Sequence, residues 1–216
     1  MTHFDNVTKT FGSLKYMKED RASFLRDFMT KHEVENVLEL GFFQGKSSAY
    51  FAAIMEDRGF GHLTTIDMRY AVKRKPSINE VLEKLGLSHR VDPIYAHRSY
   101  LWELGKMLQQ TPRPQFDLCY LDGGHTWDVT GYGFVLVDML LKPGGWIIFD
   151  DLEWTVSKSL RGKPISESPW KRYSQDEQDA KGVRMVWEMI VPHLGYVNKF
   201  EEPSFAWGIA QKPDRK

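Results

Sequence analysis

The sequence predicts an α/β fold: one parallel sheet with helices on both faces, closed by a C-terminal antiparallel hairpin. Three observations carry that prediction. Short apolar runs alternate with longer amphipathic ones along the chain, as they do in βαβ units. Five such runs read as strands, and four of the five end on acidic residues. The last two apolar runs, residues 196–200 and 204–210, flank Glu202-Pro203 as a hairpin would.

The elements follow in order. Phe24, Leu25 and Phe28 recur at helical spacing, which predicts a helix over residues 18–31. Val37-Leu38-Glu39-Leu40 reads as a buried strand ending at Gly41, followed by an Ala- and Phe-rich helix over 46–55. Residues 63–67 form a second strand. Ser77 and Glu80 have capping-box spacing and open a helix to about residue 85. Residues 91–96 form a third strand, and Pro93 places it at a sheet edge. A short helix covers 100–108, and a strand covers 116–121 between Pro114 and Gly123-Gly124. A helix is expected over 127–141 despite Gly131 and Gly133, with Pro143-Gly144-Gly145 as its stop. Residues 146–149 form the fifth strand, 152–173 look irregular, and a last helix spans 177–194. Right-handed crossovers then place five strands in one parallel sheet. Ligands of such sheets bind beyond the carboxyl ends of the strands.

Composition narrows the function. The 216 residues suit one domain, expected over 1–216. Its parts are a helical N-terminal extension over 1–34 and a lid over 152–178. Twenty-nine Lys and Arg balance 29 Asp and Glu, so the broad basic footprint of a nucleic-acid binder is missing. The single cysteine, Cys119, excludes an intrachain disulfide and a multi-cysteine zinc cluster. No run of about 20 apolar residues suggests a membrane span, and the first residues lack an apolar signal core. A cytoplasmic location is the expectation.

The strand ends carry the candidate chemistry. Gly41 and Gly45 bracket a strand-to-helix turn that is neither a dinucleotide fingerprint nor a P-loop. Asp67, one βα unit later, is placed to accept hydrogen bonds from a ribose diol, or to cap a turn. Asp122, Asp150 and Asp151 end what are expected to be neighbouring strands. Crowded carboxylates repel unless a cation offsets them, and Mg²⁺ takes oxygen ligands of this kind. The competing reading makes them a helix cap and loop hydrogen bonders. Asp150 and Asp151 can both ligate only if the strand ends between them. His125 has the intrinsic pKa of a general base, or it is a structural partner of an aspartate.

In this ordered set the chain resembles class I S-adenosylmethionine-dependent methyltransferases. The nearest group is the small O-methyltransferases of the catechol O-methyltransferase type and related bacterial sugar and antibiotic enzymes. The resemblance rests on Val37 through Ser48, Thr65-Ile66-Asp67, Phe116 through His125, and Leu140 through Gly145 into Phe149-Asp150-Asp151. It implies a Rossmann-like, seven-stranded, mostly parallel sheet. It also implies that Gly41 and Gly45 pass beneath the methionine part of the cofactor, with Glu39 near its amino group and Ser47 close by. Asp67 would bind the ribose, and the adenine would lie near residues 96–99, which include His97 and Arg98. Asp122, Asp150 and Asp151 correspond to Mg²⁺ ligands in metal-using relatives, and His125 stands where they place a base. The chain departs from such relatives at Gly133, usually acidic, and at Trp127, usually tyrosine. The implied function is methyl transfer to a hydroxyl of a small molecule, Mg²⁺-assisted, with Trp154, Trp170 and Tyr173 of the lid lining the acceptor pocket. A metal-independent methyltransferase, a non-catalytic cofactor-binding module and a nicotinamide oxidoreductase are the alternatives. The broken glycine fingerprint and the terminal hairpin argue against the last. A homo-oligomer is compatible with the sequence.

Overall fold

The computed structural model describes residues 1–214; the last two residues of the expected 1–216 domain lie outside the described residues. Helices α1 (His3–Phe11) and α2 (Glu19–Lys31) precede the sheet. Then β1 (Asn36–Leu40), α3 (Lys46–Arg58), β2 (His62–Met68), α4 (Ile78–Leu85), β3 (Val91–Ala96) and α5 (Tyr100–Leu108) follow. They continue with β4 (Phe116–Leu121), α6 (Trp127–Asp138) and β5 (Leu141–Phe149). Two short helices, α7 (Val156–Leu160) and α8 (Gln175–Asp179), lie in the next segment. Helix α9 (Gly182–Met185) runs through a π-helical stretch (Val186–Ile190) into α10 (Val191–His193), and β6 (Val197–Glu202) and β7 (Trp207–Gln211) close the chain.

The strands form one seven-stranded sheet in the order β3-β2-β1-β4-β5-β7-β6. The first five pair in parallel, and β7 pairs antiparallel with both β5 and β6. Period-two alternation divides the core. Val37, Leu118, Tyr120, Trp146 and Ile148 pack with α1–α4. Leu38, Leu40, Cys119, Leu121, Ile147 and Phe149 pack with α5, α6 and α9. Pro93 sits on the edge strand β3, where a missing N–H costs no ladder bond. Among the described residues, no helix is long and apolar enough to cross a membrane.

Two expectations fail locally. The Pro143-Gly144-Gly145 run does not stop α6, which ends at Asp138; it lies inside β5. The register shifts between Phe116 and Leu118 opposite it, and this irregularity accommodates the proline. The expected helix over 177–194 is broken. Ala180 is extended after α8, and the chain restarts at Gly182. A Cβ at Gly182 would meet Trp127 N at 2.6 Å and His125 O at 2.7 Å. Glycine therefore lets α9 pack backbone to backbone against the start of α6, bringing the 152–181 segment down beside His125. Gly133, inside α6, has a similar cause: a Cβ there would lie 3.0 Å from the Tyr100 ring.

Candidate active site

The parallel order puts the ends of β2, β1, β4 and β5 side by side. At the end of β1 the chain turns sharply. Gly41 has φ +98°, and a Cβ on it would lie 2.2 Å from the Asp122 carbonyl oxygen. Only glycine lets the β1 turn pass this close to the end of β4. Gly45 begins α3 at φ +84° and packs against Ile78.

Glu39 is fully buried on the α3 side of β1. Its Oε2 accepts hydrogen bonds from the Ser48 hydroxyl and, at 2.6 Å, from the Thr65 hydroxyl. Its Oε1 is buried with no protein partner. Burial pushes its pKa up to about 7, although the Ser47, Ser48 and Thr65 hydroxyls pull it down. Asp67 is partly buried at the end of β2. Its Oδ2 accepts the Phe42 and Phe43 N–H groups at 3.0 and 2.6 Å, and its Oδ1 accepts the Met68 N–H. This carboxylate therefore shapes the glycine turn, and its remaining lone pairs stay open to a ligand.

The structure brings Glu39, Gly41, Gly45, Ser47 and Asp67 around one turn. His97 and Arg98 follow β3, which pairs with the Asp67-bearing strand β2, and both are exposed; His97 Nε2 is 3.3 Å from Arg69 Nη1.

A second group lies at the ends of β4 and β5. Strand β5 stops at Phe149, so consecutive aspartates are free to diverge. Asp150 turns into the protein: Oδ2 accepts the Tyr120 hydroxyl at 3.0 Å, Oδ1 accepts the Trp207 indole N–H at 2.6 Å, and Arg21 lies 3.5 Å away. Asp151 has φ +59°, rare for a non-glycine residue. Its carboxylate faces His125, with Oδ2 3.6 Å from Nε2; Asp122 Oδ1 is 4.0 Å from the same nitrogen. The ligand atoms of Asp122, His125 and Asp151 lie within 4.8 Å of one another. Asp122 and Asp151 meet with His125 between them, and Asp150, whose carboxylate also crowds those of Asp122 and Asp151, anchors the strand behind them.

The electrostatics fit that packing. Burial first, and then the neighbouring carboxylates, push Asp122 well above the usual carboxylate range and raise Asp151. Burial lowers His125, against the pull of Asp151 and Asp150. His125 Nδ1 is buried and has no partner. The ring packs on Trp154, centroids 5.3 Å apart. Trp154 meets Trp170, and Trp170 meets Tyr173. His125, Trp127, Trp154 and Tyr173 line a cavity of about 350 Å³, with Asp128, Arg172 and Asp176 among its other walls.

Ser48, Thr65, Lys46 and Arg21 were not singled out in the sequence. Thr65 lies directly opposite Glu39 in the β1–β2 register, so the strand pairing would have found it. Nothing local marks Arg21.

A seven-stranded sheet of this order, with a glycine turn after β1 and carboxylates after β2, β4 and β5, defines the class I methyltransferase fold. A family described as a methyltransferase domain matches residues 38–152; the chain belongs to that family and is an S-adenosylmethionine-dependent methyltransferase. Similar solved structures include the O-methyltransferase TomG from Streptomyces achromogenes, involved in tomaymycin synthesis and solved with S-adenosylmethionine. It is 18% identical, covers 98% of this chain and 89% of its own, and has a TM-score of 0.67. An O-methyltransferase from Bacillus cereus, in complex with S-adenosylhomocysteine, is 18% identical, with 97% and 90% covered and a TM-score of 0.65. MycE, from the mycinamycin biosynthetic pathway and solved with Mg, S-adenosylhomocysteine and mycinamycin VI, is 13% identical. It covers 99% of this chain and 56% of its own, with a TM-score of 0.61. At these identities the likeness is one of fold. No curated protein matches the sequence.

Proposed function

We propose that the protein transfers a methyl group from S-adenosylmethionine to a hydroxyl of a small molecule. The observation that carries this reading is adjacency. The glycine turn touches the end of β4 at Gly41 and Asp122, while Asp122, His125 and Asp151 converge one strand further on. A methyl donor on the turn and a hydroxyl beside His125 are then neighbours, and position supplies much of the rate in a transfer of this kind.

The residues fit the cofactor. The unpartnered, buried Glu39 Oε1 suits an ammonium group, and Asp67 has lone pairs left for ribose hydroxyls. When bound, the cofactor supplies a sulfonium methyl. His125, its charge disfavoured by burial, is neutral near pH 7. Its Nε2 faces Asp122 and Asp151, so a hydroxyl bound between those carboxylates would reach Nε2 and pass its proton there. Trp154 and Tyr173 wall the acceptor pocket and limit water.

The donor set also fits a divalent cation. Asp122 and Asp151 carry the raised pKa values of crowded carboxylates and supply oxygen ligands. When bound, such an ion lowers the pKa of a hydroxyl. Mg²⁺ and mycinamycin VI in the MycE structure are consistent with this assignment. One observation favours a metal-independent reading: Asp150 spends both oxygens on protein donors.

A screen of phenols, sugars and hydroxylated macrolides for S-adenosylhomocysteine formation, with Mg²⁺ and with chelator, tests both readings. Product formed with Mg²⁺ and lost in chelator supports the cation; product unaffected by chelator removes it. Wild-type protein that neither forms nor binds S-adenosylhomocysteine overturns the proposal.

A further inference from the structure

Residues 12–18 join α1 to α2 and run beside the glycine turn. Lys46, the first residue of α3, is only 5% exposed. Its ammonium donates to the Gly12 carbonyl at 2.9 Å and to the Leu14 carbonyl at 2.8 Å. A cation is doubly out of place here. Burial penalises it, and the first turn of a helix disfavours positive charge. What it gains is a hold on two carbonyls of the preceding connection.

That connection is under strain. Tyr16 and Met17 are consecutive non-glycine residues at φ +62° and +30°, a conformation that persists only where the surroundings impose it. Tyr16 sets its ring edge-on against Phe43, centroids 5.1 Å apart. Phe43 belongs to the glycine turn and is itself at φ +51°. The Arg74 guanidinium lies 4.1 Å from the Phe43 ring centroid. The segment's far end is tied down as well, since Arg21 reaches Asp150.

We infer that residues 12–18 form a strap across the cofactor turn, and that Lys46 is the positioning residue that latches it. The inference rests on reading the Gly41–Gly45 turn as the cofactor site. Lys46 acts on the cofactor indirectly, by holding the strap whose Tyr16 braces Phe43.

The test compares wild type, Lys46→Met and Tyr16→Ala by tryptic cleavage after Lys15 and by calorimetric titration with S-adenosylhomocysteine. Tyr16 is 65% exposed, so its variant keeps the test open if Lys46→Met fails to fold. Without ligand, Lys46→Met is expected to be cut roughly tenfold faster than wild type, because the strap opens locally. Both variants are expected to bind S-adenosylhomocysteine about five- to tenfold more weakly. A purely structural role would lower the melting temperature and leave that affinity alone. Wild-type cleavage in Lys46→Met, or wild-type affinity in Tyr16→Ala, overturns the inference. Wild-type protein without affinity for S-adenosylhomocysteine would instead overturn the cofactor reading, while the cleavage rates still report on the latch.

Discussion

At the ends of β1 and β2, carboxylates sit among donors that hold them. Glu39 takes the hydroxyls of Ser48 and Thr65, and Asp67 takes three backbone N–H groups. At the ends of β4 and β5, Asp122 and Asp151 face each other and His125, and each has a raised pKa. The first region is built before any ligand arrives. The second concentrates like charge that a cation, a proton or an acceptor must offset. On the proposed function, the difference separates two tasks on one sheet edge: holding the methyl donor, and activating the acceptor.

The largest expected effect breaks the second region alone. Asp122→Ala should lower turnover by on the order of 10³-fold, the range of lost acid–base or metal assistance. Its affinity for S-adenosylhomocysteine should stay within about threefold of wild type. Turnover assays beside calorimetry would show this, and parallel loss of both would join the two regions into one.

Asp150 and Asp151 sharpen the contrast. Asp150→Ala leaves the Tyr120 hydroxyl, the Trp207 indole and Arg21 without their buried acceptor. It should cost about 3 kcal/mol in urea unfolding. Asp151→Ala relieves repulsion and should leave stability nearly unchanged while impairing turnover. Equal stability losses would contradict the division between anchor and reactive group.

Glu39 gives a pH signature. Burial raises its pKa from 4.5 to about 7. Between those values the folded chain holds a proton that the unfolded chain has released. This group's contribution to stability therefore falls as pH rises through that window, by roughly 3 kcal/mol in all. Unfolding of wild type and Glu39→Gln across pH 4–8 checks this: the Glu39 share of the slope should be lost in the variant, while the shares of Asp122, Asp151 and His125 remain. Because an ammonium favours ionised Glu39, S-adenosylhomocysteine should bind more tightly as pH rises toward 7. The smallest effect is Ser48→Ala, which loses one hydrogen bond to Glu39 and should cost about 1 kcal/mol by the same unfolding assay.

Much of this was legible in the sequence because it is local. The β4 strand, the Ser77–Glu80 capping box and the glycine turn each announce themselves within ten residues. Pro143-Gly144-Gly145 misled because a bulge in a strand and a helix stop use the same residues. The break before Gly182 was hidden because its cause is the backbone of His125–Trp127, over 50 positions away. The division of Asp150 from Asp151 was half legible. Alternation said that they diverge unless the strand ends, but only Tyr120, Trp207 and Arg21 show which one turns inward. Lys46 stood inside the recognised motif, yet its partners are main-chain carbonyls of another segment, which no side-chain pattern reveals.

The most direct test is thermal unfolding with S-adenosylhomocysteine, in Mg²⁺ and in chelator. Ligand at about 100 times its dissociation constant should add ~2.7 kcal/mol of stability. The account predicts that most of this shift survives in chelator, because the donor half is already assembled without a cation. No shift at saturating ligand would contradict the cofactor site, and a shift seen only with Mg²⁺ would contradict the independence of the two regions.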